Sequence, residues 1–222
     1  MDELESTLEE TVEKLKDLQA MGLQYISVAP PAVAGPSEAF SALNKNIESC
    51  TKCVRHSGQV KAALGIGPED ARVVFVSAPA MSNAAARRSS NGSISQTENF
   101  SKAETELLDN IIKAMGLTMD EVYFTCLVRC AGEDAPGSDE IEGCLPFLKD
   151  ELDIINPVAI VAMGGAAAHL IASDVDFANL RGIMRSFDDI PLMITHHPSE
   201  LIKAPGLKRA AWEDIKKVMA LL

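Results

Sequence analysis

The chain predicts an α/β fold of three layers, α/β/α, with a mostly parallel central sheet and an amphipathic helix added at the N-terminus. Three observations predict it. Runs rich in Val, Ile and Phe, of strand length, occur at residues 73–76, 122–128, 159–163 and 192–195. Segments with apolar residues three and four apart separate them, at 104–115, 138–154 and 165–172, and a further one closes the chain at 208–222. Strands that alternate with helices need crossover connections, which make neighbouring strands parallel and cover both faces of the sheet.

The elements follow in order. Leu4, Leu8, Val12, Leu15 and Leu18 lie on one face of a helix spanning residues 3–21 and ending near Gly22. That face can dock on the chain's own body or on a protein partner. Pro30, Pro31, Gly35 and Pro36 then break both periodicities, so the expected organisation is a helical appendage at 1–26, a linker at 27–37 and one domain at 38–222. In the 104–115 helix the stripe Leu107, Leu108, Ile111, Ile112 and Met115 ends at Gly116, a C-cap residue. Ser138 is the expected N-cap of the next helix, and Pro157 divides that helix from the strand beyond. Residues 82–95, rich in Ser and carrying Arg87, Arg88 and Gly92, read as a loop inserted after the first strand. No internal repeat occurs.

Composition narrows the function classes. With 222 residues and 47% apolar content the chain can bury a full core. No run of about eighteen apolar residues occurs, and residues 1–10 are acidic, unlike a signal peptide, so a cytoplasmic monomer with no membrane contact is expected. The net charge of −12 excludes a surface built throughout to hold nucleic acid, since neutralisation of phosphates by Lys and Arg supplies most non-specific affinity. Residues 1–20 hold seven acidic and two basic side chains, yet the body remains acidic without them. Any contact with DNA must come from a local patch such as Lys203, Lys208 and Arg209.

Five cysteines in a reducing compartment are not expected to pair as disulfides. Cys50 and Cys53 form a C-x2-C pair that offers two thiolates to one centre, Cys130 follows the second strand run, and Cys144 lies in the next helix. Four thiolates suit either zinc or a 4Fe-4S cluster, and two apolar core cysteines also produce this spacing. Cys126, inside the strand run, reads as a core or pocket-wall thiol.

From Cys50 to Leu222 the chain resembles the family 4 uracil-DNA glycosylases. The ordered features are Cys50-x2-Cys53, Gly65-Ile66-Gly67-Pro68, Met115-Gly116-Leu117, Val122-Tyr123-Phe124-Thr125, Val128-Arg129-Cys130, Cys144-Leu145-Pro146-Phe147-Leu148, Ala162-Met163-Gly164-Gly165, His197-Pro198-Ser199 and Trp212-Glu213-Asp214. The resemblance implies a 4Fe-4S cluster on Cys50, Cys53, Cys130 and Cys144, displacing zinc. It implies too that a uracil nucleotide in DNA is swung out of the stack and its base expelled as an anion, as in base excision repair. His197 matches the catalytic histidine of the family's His-Pro motif, although His196 competes for the role, and a loop-capping histidine is the plain reading. Phe100 matches the phenylalanine that stacks on the base, with a core phenylalanine as the alternative. Lys203 stands where the family often carries an arginine, and Lys208 follows as a second candidate for gripping phosphate.

Two departures bear on activity. Ser77-Ala78-Pro79-Ala80 replaces the family's Gly-Glu-x-Pro-Gly turn, leaving Ser77 to position water without a carboxylate. Cys126 replaces the asparagine that reads the base, and a thiol lacks an amide's paired donor and acceptor. Glu98, beyond the inserted loop, is the candidate for a replacement carboxylate. Three functions are therefore weighed: a glycosylase of weakened or altered specificity, a catalytically degenerate homologue that binds nucleic acid or a protein, and an iron-sulfur redox or sensor protein.

Overall fold

The structure is a computed structural model, and it describes residues 37–56, 62–77, 100–130, 136–165, 170 and 177–222. The chain divides into Met1–Gly35 and Pro36–Leu222, and only the second unit holds described residues. The expected N-terminal helix, the loop at 82–95, Glu98 and most of the helix expected at 165–172 lie outside them.

In chain order the elements are α1 (Glu38–Glu48), β1 (Val73–Ser77), α2 (Lys102–Ala114), β2 (Val122–Cys126), α3 (Ser138–Ile155), β3 (Ala159–Met163), α4 (Phe177–Leu180), β4 (Met184–Phe187), β5 (Ile190–Thr195), α5 (Pro198–Lys203) and α6 (Lys208–Met219). The strands form one sheet in the order β2-β1-β3-β5-β4, parallel throughout except for the β4–β5 edge pair. Every residue of β1, β2 and β3 is buried, as strands covered on both faces must be.

The strand's period of two sorts these residues into two cores. Val74, Val76, Ile160, Ala162 and Ile194 pack with Phe40 of α1 and with Leu148 and Leu152 of α3. Val73, Phe75, Val161, Met163 and Met193 pack with Leu108 and Ile112 of α2 and with Ile215 and Val218 of α6. The three expected layers and the parallel sheet are thus present.

The structure corrects several local expectations. The second strand ends at Cys126 and not at Val128, the Leu127 N–H donating to the Ser77 carbonyl as the last bond across to β1. The N-cap of α3 is Gly137, with Ser138 the first helical residue, and the Glu140 carboxylate accepts the Gly137 N–H at 2.9 Å. Met115 is the C-cap of α2, and Gly116 follows in the left-handed region. Helix α1, strand β4 and the short helices α4 and α5 have no counterpart in the sequence reading. Among the described residues no helix is long and apolar enough to cross a membrane.

Candidate functional site

Parallel α/β sheets place their ligand sites at the carboxyl ends of the strands, and four candidate residues gather there. Ser77 and Cys126 close β1 and β2 side by side in register. His197 follows Thr195 at the end of β5, and Phe100 precedes α2. Beside them the chain leaves β3 at Gly164, whose φ is +79°; a Cβ there would lie 3.1 Å from the Cβ of His197. Glycine is required at that position for its backbone conformation and for the close approach of the histidine.

His197 is the N-cap of α5. Its Nδ1 accepts the Ser199 N–H at 3.2 Å and lies 2.8 Å from Ser199 Oγ. Its own N–H donates to Glu200 Oε2 at 3.3 Å. A peptide N–H can only donate, so Nδ1 carries no proton and the neutral ring bears its proton on Nε2. Burial pushes the imidazole below its ordinary pKa; Glu104 and Glu200 pull it upward, and Lys203 adds to the depression. At neutral pH His197 is therefore an uncharged Nε2–H donor.

The ring of Phe100 stacks on that imidazole at 5.7 Å between centroids and 24° between planes, and meets Phe124 edge-on at 6.1 Å. A base sandwiched between two rings needs about 7 Å, twice a carbon–carbon contact of about 3.5 Å. A base therefore stacks on Phe100 only where it does not already cover His197. His196 turns elsewhere: its Nδ1 is 3.0 Å from Glu200 Oε2 and its ring lies edge-on to Phe177 at 5.4 Å. Of the competing histidines, His197 is the one stacked with Phe100.

At the other two positions, Ser77 Oγ donates to the carbonyl of Thr125 at 3.4 Å, and the Cys126 thiol is 1% exposed, packed against Ala63. Glu104 was missed by sequence reasoning. Its Oε1 lies 3.9 Å from His197 Nδ1, where only tertiary packing puts it.

Lys203 ends α5 and Lys208 begins α6, both exposed. Beyond Lys208 opens a cleft of about 520 Å³ whose charged lining is Arg181, Arg209 and Lys217 together with Glu213 and Asp214. Asp214 lies beneath it, its Oδ2 accepting from Arg181 at 2.7 Å and from Thr195 Oγ1 at 2.8 Å. That buried pair ties α6 to the end of β5, two residues before His197. The sequence supplied Arg209 of this cleft but neither Arg181 nor Lys217.

The four cysteines of the second candidate site also converge. Cys50 follows α1 and Cys53 follows it, on a loop seated against α3, where Lys52 covers the ring of Phe147 at 4.7 Å. Burial pushes the Cys130 thiol up to about 11, and the nearness of Cys53, Cys144 and Cys50 adds to the rise. Burial likewise raises Cys144, with Cys53 and Cys50 adding to it, while the Arg129 peptide N–H and guanidinium oppose the rise. Thiols that raise one another in this way gain from sharing a cation. Among the described residues no three Cys, His, Asp or Glu side chains stand in a group that would hold a single metal ion, so the thiols are neighbours without forming a closed shell. Arg55 lies beside them, its Nε 2.8 Å from Glu140 Oε2.

A buried hub fixes this arrangement. Arg129, next to Cys130, meets Glu151 of α3 through two hydrogen bonds of 2.9 and 2.6 Å. Tyr123 and Thr125 donate to the same carboxylate at 3.1 and 2.7 Å. Arg129 is 1% exposed and Glu151 is fully buried. Burial alone would lower the arginine's pKa, but Glu151, with Cys126 and Tyr123 adding to it, outweighs burial and holds the guanidinium above its ordinary value.

Residues 64–216 match the family model of the uracil DNA glycosylase superfamily. The chain is similar to the type-4 uracil-DNA glycosylase of Archaeoglobus fulgidus, 26% identical over 193 residues that cover 82% of this chain and 92% of the relative. It is similar to that of Sulfurisphaera tokodaii, 28% identical over 196 residues, with 83% and 85% covered. The Thermotoga maritima enzyme is 26% identical over 193 residues, with 83% and 95% covered.

Proposed function

Since the chain belongs to the uracil DNA glycosylase superfamily, we propose that it hydrolyses the N-glycosidic bond of uracil or another deaminated base in DNA, with base discrimination altered by Cys126. The observation that carries this reading is His197: a neutral imidazole with its Nε2–H free of the helix cap, at the carboxyl end of the sheet and beside an aromatic ring. Negative charge builds on the base oxygen as the bond to the sugar breaks, and a fixed N–H donor stabilises that charge at no cost of reorganisation. The ring of Phe100 supplies the stacking surface once it has moved off the imidazole. The exposed Lys203 and Lys208, with Arg209, would hold phosphates of the strand. At the end of β1 the Ser77 hydroxyl, which donates to the Thr125 carbonyl, would orient water through its oxygen.

Cys50, Cys53, Cys130 and Cys144 would hold a 4Fe-4S cluster, and their mutual proximity supports that fit. Bound there, a cluster would cross-link the segment after α1, the segment after β2 and helix α3, so that its binding energy becomes folding energy.

The test is incubation with single- and double-stranded oligonucleotides carrying uracil, hypoxanthine or xanthine, followed by alkaline cleavage at abasic sites. Release of at least one base is expected, and release of none overturns the reading. A second reading, a homologue that binds DNA without turnover, is favoured by the thiol at Cys126: a site that loses a hydrogen-bonding reader loses discrimination of several orders of magnitude. Binding that weakens with salt, with no base released, would select it.

A further inference from the structure

The end of β1 carries a hydroxyl, Ser77, and no carboxylate, yet a carboxylate does reach the histidine from the neighbouring helix. Glu104 is the third residue of α2 and closes its capping box: its Oε2 accepts the Ser101 N–H at 2.6 Å, and its own N–H donates to Ser101 Oγ at 3.4 Å. One oxygen is anchored by the cap, and the other, Oε1, faces His197 Nδ1 at 3.9 Å. The side chain is only 14% exposed. Phe100, immediately before the capping serine, stacks on the same imidazole. The start of α2 thus meets the start of α5 through two residues, Phe100 and Glu104, set about a single ring.

Resting on the glycosylase reading above, we infer that Glu104 acts on the reaction through His197: its carboxylate, fixed by the cap of α2 with one oxygen toward Nδ1, sets the charge beside that ring. Among the described residues the charged groups whose fields reach the ring are Glu104 from α2, and Glu200 and Lys203 from α5. Glu200 is shared, since His196 Nδ1 and the His197 N–H both meet its Oε2. Lys203 opposes protonation. Glu104 therefore supplies negative charge on the Nδ1 side, opposite the nitrogen that faces the leaving base. Sequence alone reads this glutamate as an ordinary first-turn residue, where acids suit the helix dipole. The geometry gives it a second partner.

Glu104→Gln separates the two roles, because glutamine keeps a capping box while removing the charge. The imidazole of His197 is titrated by NMR in the full-length wild type, in Glu104→Gln and in Ser101→Ala. In Glu104→Gln the proton affinity of His197 is expected to fall roughly tenfold, as loss of a unit charge at this range in a partly wet site dictates. In Ser101→Ala, which keeps the charge and the backbone anchor, the melting temperature falls and the titration stays in place. A Glu104→Gln titration that overlays the wild type, or a Ser101→Ala titration that moves as far, overturns the assignment. Where the wild type releases a base, Glu104→Gln should move the acid limb of kcat/KM to lower pH; an unmoved limb also overturns it. Wild type that releases no base while the NMR titration moves sinks the glycosylase reading and leaves the Glu104–His197 pairing supported.

Discussion

Glutamine in place of Glu151 tests whether the hub beside the cysteines holds the fold. The carboxylate receives four hydrogen bonds, two from Arg129, one from Tyr123 and one from Thr125. Glutamine keeps one carbonyl oxygen and turns an NH2 toward donors, so about half of these bonds are lost and a guanidinium is left buried beside a neutral amide. Charge-assisted bonds contribute about 1.5–3 kcal/mol each, and removing one member of a buried ion pair costs about 3–5 kcal/mol. That is a large part of a total stability of about 5–15 kcal/mol. The midpoint of thermal unfolding should fall by roughly 6–20 °C, since about 2–4 °C accompanies each kcal/mol in a domain of this size. Circular dichroism melts and urea titrations at matched iron content measure it. The double variant Arg129→Met with Glu151→Leu removes both charges and should recover most of the loss. A Glu151→Gln protein within about 1 kcal/mol of wild type, or a double variant as unstable as the single, would refute the hub's role.

Three further outcomes are expected. Anaerobically purified protein should be brown with about four irons per chain, and Cys130→Ala should lose colour and melt lower while Cys126→Ala stays brown, as absorbance and iron assay will show. Phe100→Ala should lower kcat/KM roughly 5- to 150-fold, the worth of about 1–3 kcal/mol of base stacking, measured below the variant's melting temperature. Because His197 titrates below its ordinary pKa when folded, its neutral form contributes stability that is fully present above the unfolded value of about 6.5 and is lost as pH falls through the lower folded value. Urea midpoints should therefore drop from pH 7 toward pH 5 more steeply in wild type than in His197→Gln, and parallel slopes would contradict the cap.

Strands β1, β2, β3 and β5 were legible because burial writes apolar runs such as residues 73–76 and Ala159–Met163. The edge strand β4 reads Met-Arg-Ser-Phe, half exposed, and its turn is Asp188-Asp189, both with positive φ but lacking the glycine that usually marks such a hairpin. Helix α1 carries Phe40, Leu43 and Ile47 at helical spacing, but short of the strands nothing in the sequence says that they join the core. The four cysteines and His197 stand in motifs that draw attention to them in the sequence. Arg129 with Glu151, and Glu104 with His197, could not: each pairs residues far apart in the chain, and a lone charged residue ordinarily reads as solvated.

His197 also bears on how this lineage can change. The imidazole that would face a departing base is the acceptor on which a six-residue helix begins. Serine or aspartate could take over that cap but not the ring's N–H donation, so a descendant can lose the chemistry while keeping the turn.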